Sequence, residues 1–212
     1  MSRECERLHH LFHAVKRHRF PFNEMEIPLN GIYVLFEKGE EGHDGDRIVR
    51  VGTHTGVNQL RSRLKQHFLN ENKDRSIFRK NIGRAILTKN NDSFITYWEY
   101  DLTTKLNREK YGNSVDKAKQ TEVEKQVSAF IQENFSFIAF EVEQTAIRLN
   151  LEAMIISIVS LCDECKPSVT WLGNCSPKEK IRRGGLWLVN ELWKTNAKQF
   201  DFKTLEYYLG IK

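Results

Sequence analysis

Glu152 sits in a run that is apolar on nearly every side: Ile147, Leu149, Leu151, Met154, Ile155, Ile156, Ile158, Val159 and Leu161. A helix of that composition is buried, and a buried carboxylate is costly without a partner. Two partners are open to it: Arg148, one turn earlier, or a metal ion at the edge of a cleft. In LRSRLKQHF, Arg63 and His67 stand four residues apart, so a guanidinium and a titratable imidazole share one side of a helix. Gly31-Ile32-Tyr33 opens one β-like run, and Arg50-Val51-Gly52 closes the next. Alternation sends Ile32 and Tyr33 to opposite faces, so one packs inward while the other can present a phenol to a cleft.

The cysteines carry a second possible chemistry. Cys162 and Cys165 have C-x-x-C spacing, with Cys175 ten residues on, and Cys5 lies far away in sequence. The spacing invites zinc, but a closed site needs a fourth ligand, and no histidine follows His67. Small free thiols at a helix end are the preferred reading. The alternative is a zinc-binding structural protein that uses these cysteines with the N-terminal histidines His9, His10, His13 and His18.

Basic residues cluster. Residues 57 to 84 contain Arg61, Arg63, Lys65, Lys73, Arg75, Arg79, Lys80 and Arg84 against Glu71 and Asp74. Lys178, Lys180, Arg182 and Arg183 follow later, interrupted by Glu179. Such clustering is the footprint of a polyanion binder or else a solvated helix face.

The elements that must position these groups follow from periodicity. Residues 4 to 20 read as a basic amphipathic helix with Leu8, Leu11, Phe12 and Val15 on one face, and FPFNEMEIP as extended because of Pro21 and Pro28. The hairpin 31 to 53 leads to a helix from Val57 to Leu69 with a Leu60, Leu64, Phe68 stripe, and then to a helix over Ile77 to Leu87. FITYWEY (94 to 100) has strand composition, 101 to 118 reads as a polar loop or insertion, and Val123, Val127, Phe130 and Ile131 mark a helix. FSFIAFEV (135 to 142) suits a central strand. The buried helix spans 145 to 162, Ser176-Pro177 opens another, and short helices near 186 to 195 and 201 to 209 close the chain.

Hydrophobic residues at 40% and charged residues at 29%, with a net charge of +5, describe an ordinary globular protein. The N-terminus is too charged for a secretory signal, and the longest apolar run, 153 to 162, suits a buried helix better than a bilayer span. A cytoplasmic protein with no membrane partner is expected.

The ordered set of Gly31-Ile32-Tyr33, a second strand ending Val51-Gly52, a helix with Arg63 and His67, and a later helix with Glu152 resembles the GIY-YIG nuclease superfamily. Beyond the module, GIYVLFEKGE, RVGTH, SIFRKNIGRA and PSVTWLG…SP…GLW resemble a group of bacterial GIY-YIG proteins. The resemblance implies a small three-stranded sheet flanked by helices, an α/β (α+β) class, with extra N- and C-terminal helices. The expected division is a helical arm at 1–27, the nuclease-like domain at 28–176 with an insertion around 88–135, and C-terminal helices at 177–212.

It also implies roles. Glu152 would hold Mg²⁺ or Mn²⁺, for which one carboxylate plus waters and substrate phosphate suffices. Arg63 offers a fork that fits two phosphate oxygens, and His67 can donate to the phosphate or move a proton. Tyr33 would orient or deprotonate the attacking water. A free phenol, with a pKa near ~10, needs nearby cations to do so. Arg50 departs from the family's tyrosine. It adds a second cation beside Tyr33, or it marks a site that binds nucleic acid without cutting it, and His54 could supply a proton-transfer group. Asn174 is the nearest match to a polar residue that many members place after the metal-binding helix, although Ser176 could instead be a cap. Arg61, Lys65, Arg79, Lys80, Arg84, Lys178, Lys180, Arg182 and Arg183 would hold the phosphate backbone. The expected function is metal-dependent hydrolysis of DNA phosphodiesters, in repair, restriction or mobile-element processing, with RNA not excluded. The main alternative is a catalytically silent binding module of the same fold.

Overall fold

Alternation along Gly31 to Phe36 sorts side chains into two cores, one on each face of a sheet. In the computed structural model, which describes residues 2–194 and 201–211, the strands are β1 (His18–Arg19), β2 (Gly31–Gly42), β3 (Gly45–Gly52) and β4 (Phe135–Glu141). They pair antiparallel in the order β1-β4-β2-β3. The two-residue β1, beside β4, is the strand that periodicity does not show. The helices are α1 (Ser2–His13), α2 (Leu60–Phe68), α3 (Ile77–Lys89), α4 (Ile95–Trp98), α5 (Lys105–Tyr111), α6 (Lys117–Asn134), α7 (Thr145–Ser160), α8 (Glu179–Gly184) and α9 (Phe202–Leu209). Ile32, Val34 and Phe36 pack with α1, α7 and α9, whereas Tyr33 and Leu35 pack with α2, α3, α4, α6 and α8. Among the described residues no helix is long and apolar enough to cross a membrane.

Two glycines are demanded by close approach. A Cβ on Gly31 would lie 2.1 Å from the Phe140 carbonyl oxygen, and one on Gly52 would lie 2.2 Å from the Tyr33 hydroxyl. Gly52 faces Tyr33 across the β2–β3 pair, so the strand carrying the phenol and the strand beside it fit only with hydrogen at that position.

Several sequence expectations are corrected. FITYWEY forms α4 rather than a strand. Phe94 and Trp98, one helical turn apart, are both buried, and the indole lies over Gly83, where a Cβ would be 2.4 Å away. A short apolar run does not separate strand from helix by itself. Helix α5 lies within the expected loop 101 to 118. The first helix ends at His13 rather than 20, leaving 18–19 free to pair with β4. Residues 186 to 194 are bends and irregular backbone with one turn at Leu192 and Trp193, not helix, with Glu191 and Trp193 in the left-handed region at φ 62 and 57. Residue 195, where that helix was expected to end, lies outside the described residues. Helix α8 starts at Glu179, with Lys178 as its N-cap residue rather than Ser176.

One buried carboxylate organises the C-terminal segment. Glu37 on β2 is 5% exposed, and its Oε2 accepts from Trp187 Nε1 at 2.7 Å and Trp171 Nε1 at 2.8 Å. Trp187 N–H donates to the Val49 carbonyl at 2.7 Å, and the Trp187 carbonyl accepts from Arg50 Nη1. PSVTWLG and GLW are therefore two halves of one clamp on β2 and β3.

Candidate active site

Glu152 projects from α7 beside the end of β3. Its Oε1 accepts the Thr53 backbone N–H at 3.1 Å. Arg148 does not serve as its partner: that guanidinium donates to the carbonyls of Val142 and Glu143 and to Thr145 Oγ1, at 3.0, 2.6 and 3.0 Å. Burial raises the Glu152 pKa above its ordinary value, opposed by the charge of Arg50, the Thr53 hydrogen bond and the charge of Arg63, while Glu191 adds to the rise. Two clefts of about 390 and 460 Å³ meet at Arg63, Leu149 and Glu152. Thr53, Ser62 and Gln66 line the first, and Arg50, Asn81 and Asn190 the second.

Arg63 lies on α2 and is oriented by Gln66 Oε1 at 3.2 Å and the Arg75 carbonyl at 3.1 Å. Arg50 is 6% exposed. Its Nη1 donates to the Trp187 carbonyl and its Nε to the Tyr33 hydroxyl at 3.3 Å. One arginine on α2 and one on β3 therefore flank the seam that holds Glu152, and neither forms an ion pair with it among the described residues.

Tyr33 and His67 lie behind this wall, fully buried. Tyr33 Oη is 2.7 Å from His67 Nε2, and His67 Nδ1 is 2.7 Å from Ser76 Oγ. Ser76 is the N-cap of α3 and accepts the Arg79 N–H at 3.2 Å, a role its position before Ile77 supports. Burial, then the charges of Arg50, Arg63 and Arg79, hold the His67 pKa well below the ordinary histidine value. The ring is neutral, and its two tautomers have different consequences. With the proton on Nδ1, His67 donates to Ser76 and accepts from the phenol. With the proton on Nε2, it donates to the phenol oxygen, which then accepts from both His67 and Arg50. In either tautomer the chain fixes the orientation of the phenol, while the lowered pKa makes His67 a poor acceptor for its proton.

Other expected residues are engaged in structural bonds, although His54 lines the first cleft. Both ring nitrogens of His54 serve the backbone: Nε2 accepts the Gly31 N–H at 3.1 Å and Nδ1 donates to the Gly56 carbonyl at 2.7 Å. Burial holds its pKa below the usual value. Its ring holds the loop after β3 against the start of β2. Asn174 is exposed, donates to the carbonyls of Ser168 and Val169 at 2.9 and 3.3 Å, and lines neither cleft. Asn81 and Asn190 are the asparagines that do.

Much of the expected phosphate-binding run faces inward. Arg79 is fully buried, with Nη2 2.7 Å from Glu124 Oε2. Arg84 pairs with Glu99 at 2.5 Å and Lys80 with Asp74 at 3.7 Å. These cations tie α3 to α6 and to the segment after α4, because a buried charge must be paired. Lys65 is half-buried and pairs with Glu24 at 2.7 Å, and Arg61 donates to the Ile27 carbonyl at 2.7 Å. Lys178, Lys180, Arg182 and Arg183 are exposed. Thr53 and Ser76 are site residues that sequence reasoning does not single out. Ser76 carries a capping signal, whereas the Thr53 contribution is a backbone N–H that no side-chain pattern reveals.

The residues fit a hard divalent cation. Glu152 lines both clefts, one carboxylate oxygen is oriented by Thr53, and the other has no hydrogen-bond donor among the described residues. One carboxylate beside room for waters and phosphate is the donor set that Mg²⁺ accepts.

No curated protein and no solved structure matches the chain. A family model, the GIY-YIG domain, matches residues 3–208. That span includes β2, β3, α2 and α7 and nearly all of the chain. The protein therefore belongs to the GIY-YIG family, a family of nucleases that act on nucleic acid and generally depend on a divalent metal.

Proposed function

We propose that the protein is a metal-dependent endonuclease that hydrolyses DNA phosphodiester bonds, with Glu152 holding Mg²⁺ or Mn²⁺. The observation that carries this reading is the placement of Glu152: released from Arg148, oriented by Thr53 N–H, and set where two clefts meet beside Arg63 and Arg50. A bound divalent cation would neutralise charge on the phosphoryl oxygens. Arg63 and Arg50 bind the scissile phosphate from two sides as charge-assisted donors. Arg50 also touches the Tyr33 hydroxyl, so Tyr33 stands one hydrogen bond behind the phosphate-binding wall. His67 and Ser76 fix the phenol by one hydrogen-bond chain, and the lowered pKa keeps the imidazole neutral, so Tyr33 acts by orienting Arg50 and, through it, a water entering beside the phosphate, not as the base. Arg50 thus occupies the place of the second motif tyrosine as a cation bonded to the first. The exposed cluster of Lys178, Lys180, Arg182 and Arg183 tracks the backbone outside the site.

The test is cleavage of plasmid, linear duplex, single-stranded and branched DNA, and of RNA, with Mg²⁺, Mn²⁺ or EDTA. Glu152→Ala and Tyr33→Phe proteins run beside the wild type. Metal-dependent cutting that Glu152→Ala abolishes, with binding retained, is expected. Salt-sensitive binding without cutting of any substrate would replace this reading with a catalytically silent binding module.

A further inference from the structure

Three thiols and two imidazoles converge on the sheet face opposite Tyr33. Cys5 and His9 lie one turn apart on α1, His43 occupies the β2–β3 tip, and Cys162 and Cys165 follow α7. His43 adopts φ 51, and its side chain is 4% exposed. Donor atoms of Cys5, His9, His43 and Cys165 all lie within 4.8 Å of one another. Cys5 Sγ is 3.6 Å from Cys165 Sγ, and His43 Nε2 is 3.3 Å from Cys162 Sγ. Tetrahedral zinc with Zn–S near ~2.3 Å and Zn–N near ~2.0–2.1 Å places S···S pairs about 3.8 Å and S···N pairs about 3.6 Å apart. The Cys5–Cys165 and His43–Cys162 separations match these to within a few tenths of an ångström; Cys162 stands outside the group that shares the 4.8 Å spacing and joins it through His43.

Five donors are more than a tetrahedron takes, and their hydrogen bonds choose among them. His9 lies 3.6 Å from the Cys5 sulfur and 3.9 Å from the Cys165 sulfur, but both its ring nitrogens are already engaged by the backbone: Nδ1 donates to the Cys5 carbonyl at 2.9 Å, and Nε2 accepts the Ile48 N–H at 3.2 Å. His43 has no backbone partner among the described residues. Its Nε2 faces the sulfurs, and its Nδ1 lies 3.7 Å from Glu164 Oε2, the carboxylate placement that orients a metal-bound imidazole. Gly42 supplies room, since a Cβ there would be 3.0 Å from Cys165 Sγ. Cys175, the third cysteine of the sequence pattern, is not part of the cluster.

We propose that Cys5, Cys162, Cys165 and His43 form a structural zinc site. Thiolate-rich donors select zinc over Mg²⁺, so this site is distinct from the one at Glu152. On binding, the three thiols release their protons to solvent and become thiolate ligands. Four protein ligands close the coordination sphere, which assigns the metal a structural role. It joins α1, the hairpin tip and the segment after α7, elements that the chain brings from residues 5, 43 and 162 to 165. The assignment is independent of the nuclease reading.

Elemental analysis of the full-length protein, purified reduced and without chelator, should find about one zinc per chain. The cobalt-exchanged protein should show tetrahedral d–d bands and thiolate-to-cobalt charge transfer. Cys175→Ser should leave both unchanged, while His43→Ala and Cys162→Ser should weaken zinc binding by about 10–100-fold or more in chelator competition. Should the variants fail to fold, the wild-type cobalt spectrum decides. The proposal is overturned if the reduced protein takes up no zinc from an equimolar solution. Zinc retained by His43→Ala but lost by His9→Ala would overturn the ligand set.

Discussion

Glu37 gives the sharpest test of how this fold holds its site. Burial pushes its pKa from the ordinary 4.5 up to about 7, with Glu40 adding to the rise and the hydrogen bonds of Trp187 and Trp171 and the charge of Arg47 opposing it. The folded state thus binds a proton that the unfolded chain has already released. The stability this proton contributes is complete below pH 4.5 and is lost as pH rises through 7. The difference between those two values corresponds to about 3 kcal/mol, of which roughly 2–3 kcal/mol falls between pH 5 and pH 8. Glu37→Gln keeps a carbonyl oxygen for the two indole N–H groups and removes the charge. Urea unfolding of both proteins from about pH 5 to 8 should show the variant gaining about 2–3 kcal/mol on the wild type across that range. The difference between the profiles isolates Glu37, because His13, His18, His54 and His67, all with lowered pKa values, pull each separate profile the other way. Parallel profiles, with a difference independent of pH, would refute the buried-carboxylate account of the Trp171–Trp187 clamp and with it the support proposed for Arg50.

Gly52→Ala should drive the Tyr33 phenol away from His67 and Arg50, since the added Cβ would lie 2.2 Å from its hydroxyl. A cleavage loss of about 10²-fold is expected, read as single-turnover rate on saturating DNA. Arg79→Met leaves Glu124 buried without its cation and should cost about 3–5 kcal/mol in unfolding free energy. The double variant Arg79→Met/Glu124→Leu should recover part of that loss. Alanine at Lys178, Lys180, Arg182 and Arg183 together should flatten the dependence of log K on log salt by about 2–4, while Lys80→Ala leaves that slope unchanged.

The positions of the proposed catalytic groups along the chain are legible in the sequence alone, because they depend on local backbone geometry. Period two along β2 separates Ile32 from Tyr33, and one helical turn aligns Arg63 with His67. The apolar surroundings of Glu152 announce a buried carboxylate, and the strand over FSFIAFEV follows from composition. What the residues touch is not legible there. Glu152 is held by Thr53, 99 residues away, rather than by Arg148. Arg79 is neutralised by Glu124 at a separation of 45 residues, so a run that looks like a phosphate-binding surface is partly interior. Cys165 meets Cys5 across 160 residues and His43 from a hairpin tip, leaving out the Cys175 that sequence spacing groups with it. Periodicity belongs to the backbone of a single segment and can be read along it. Charge pairing, burial and metal geometry are functions of distances between segments, and those distances exist only once the sheet and its two helical layers have closed.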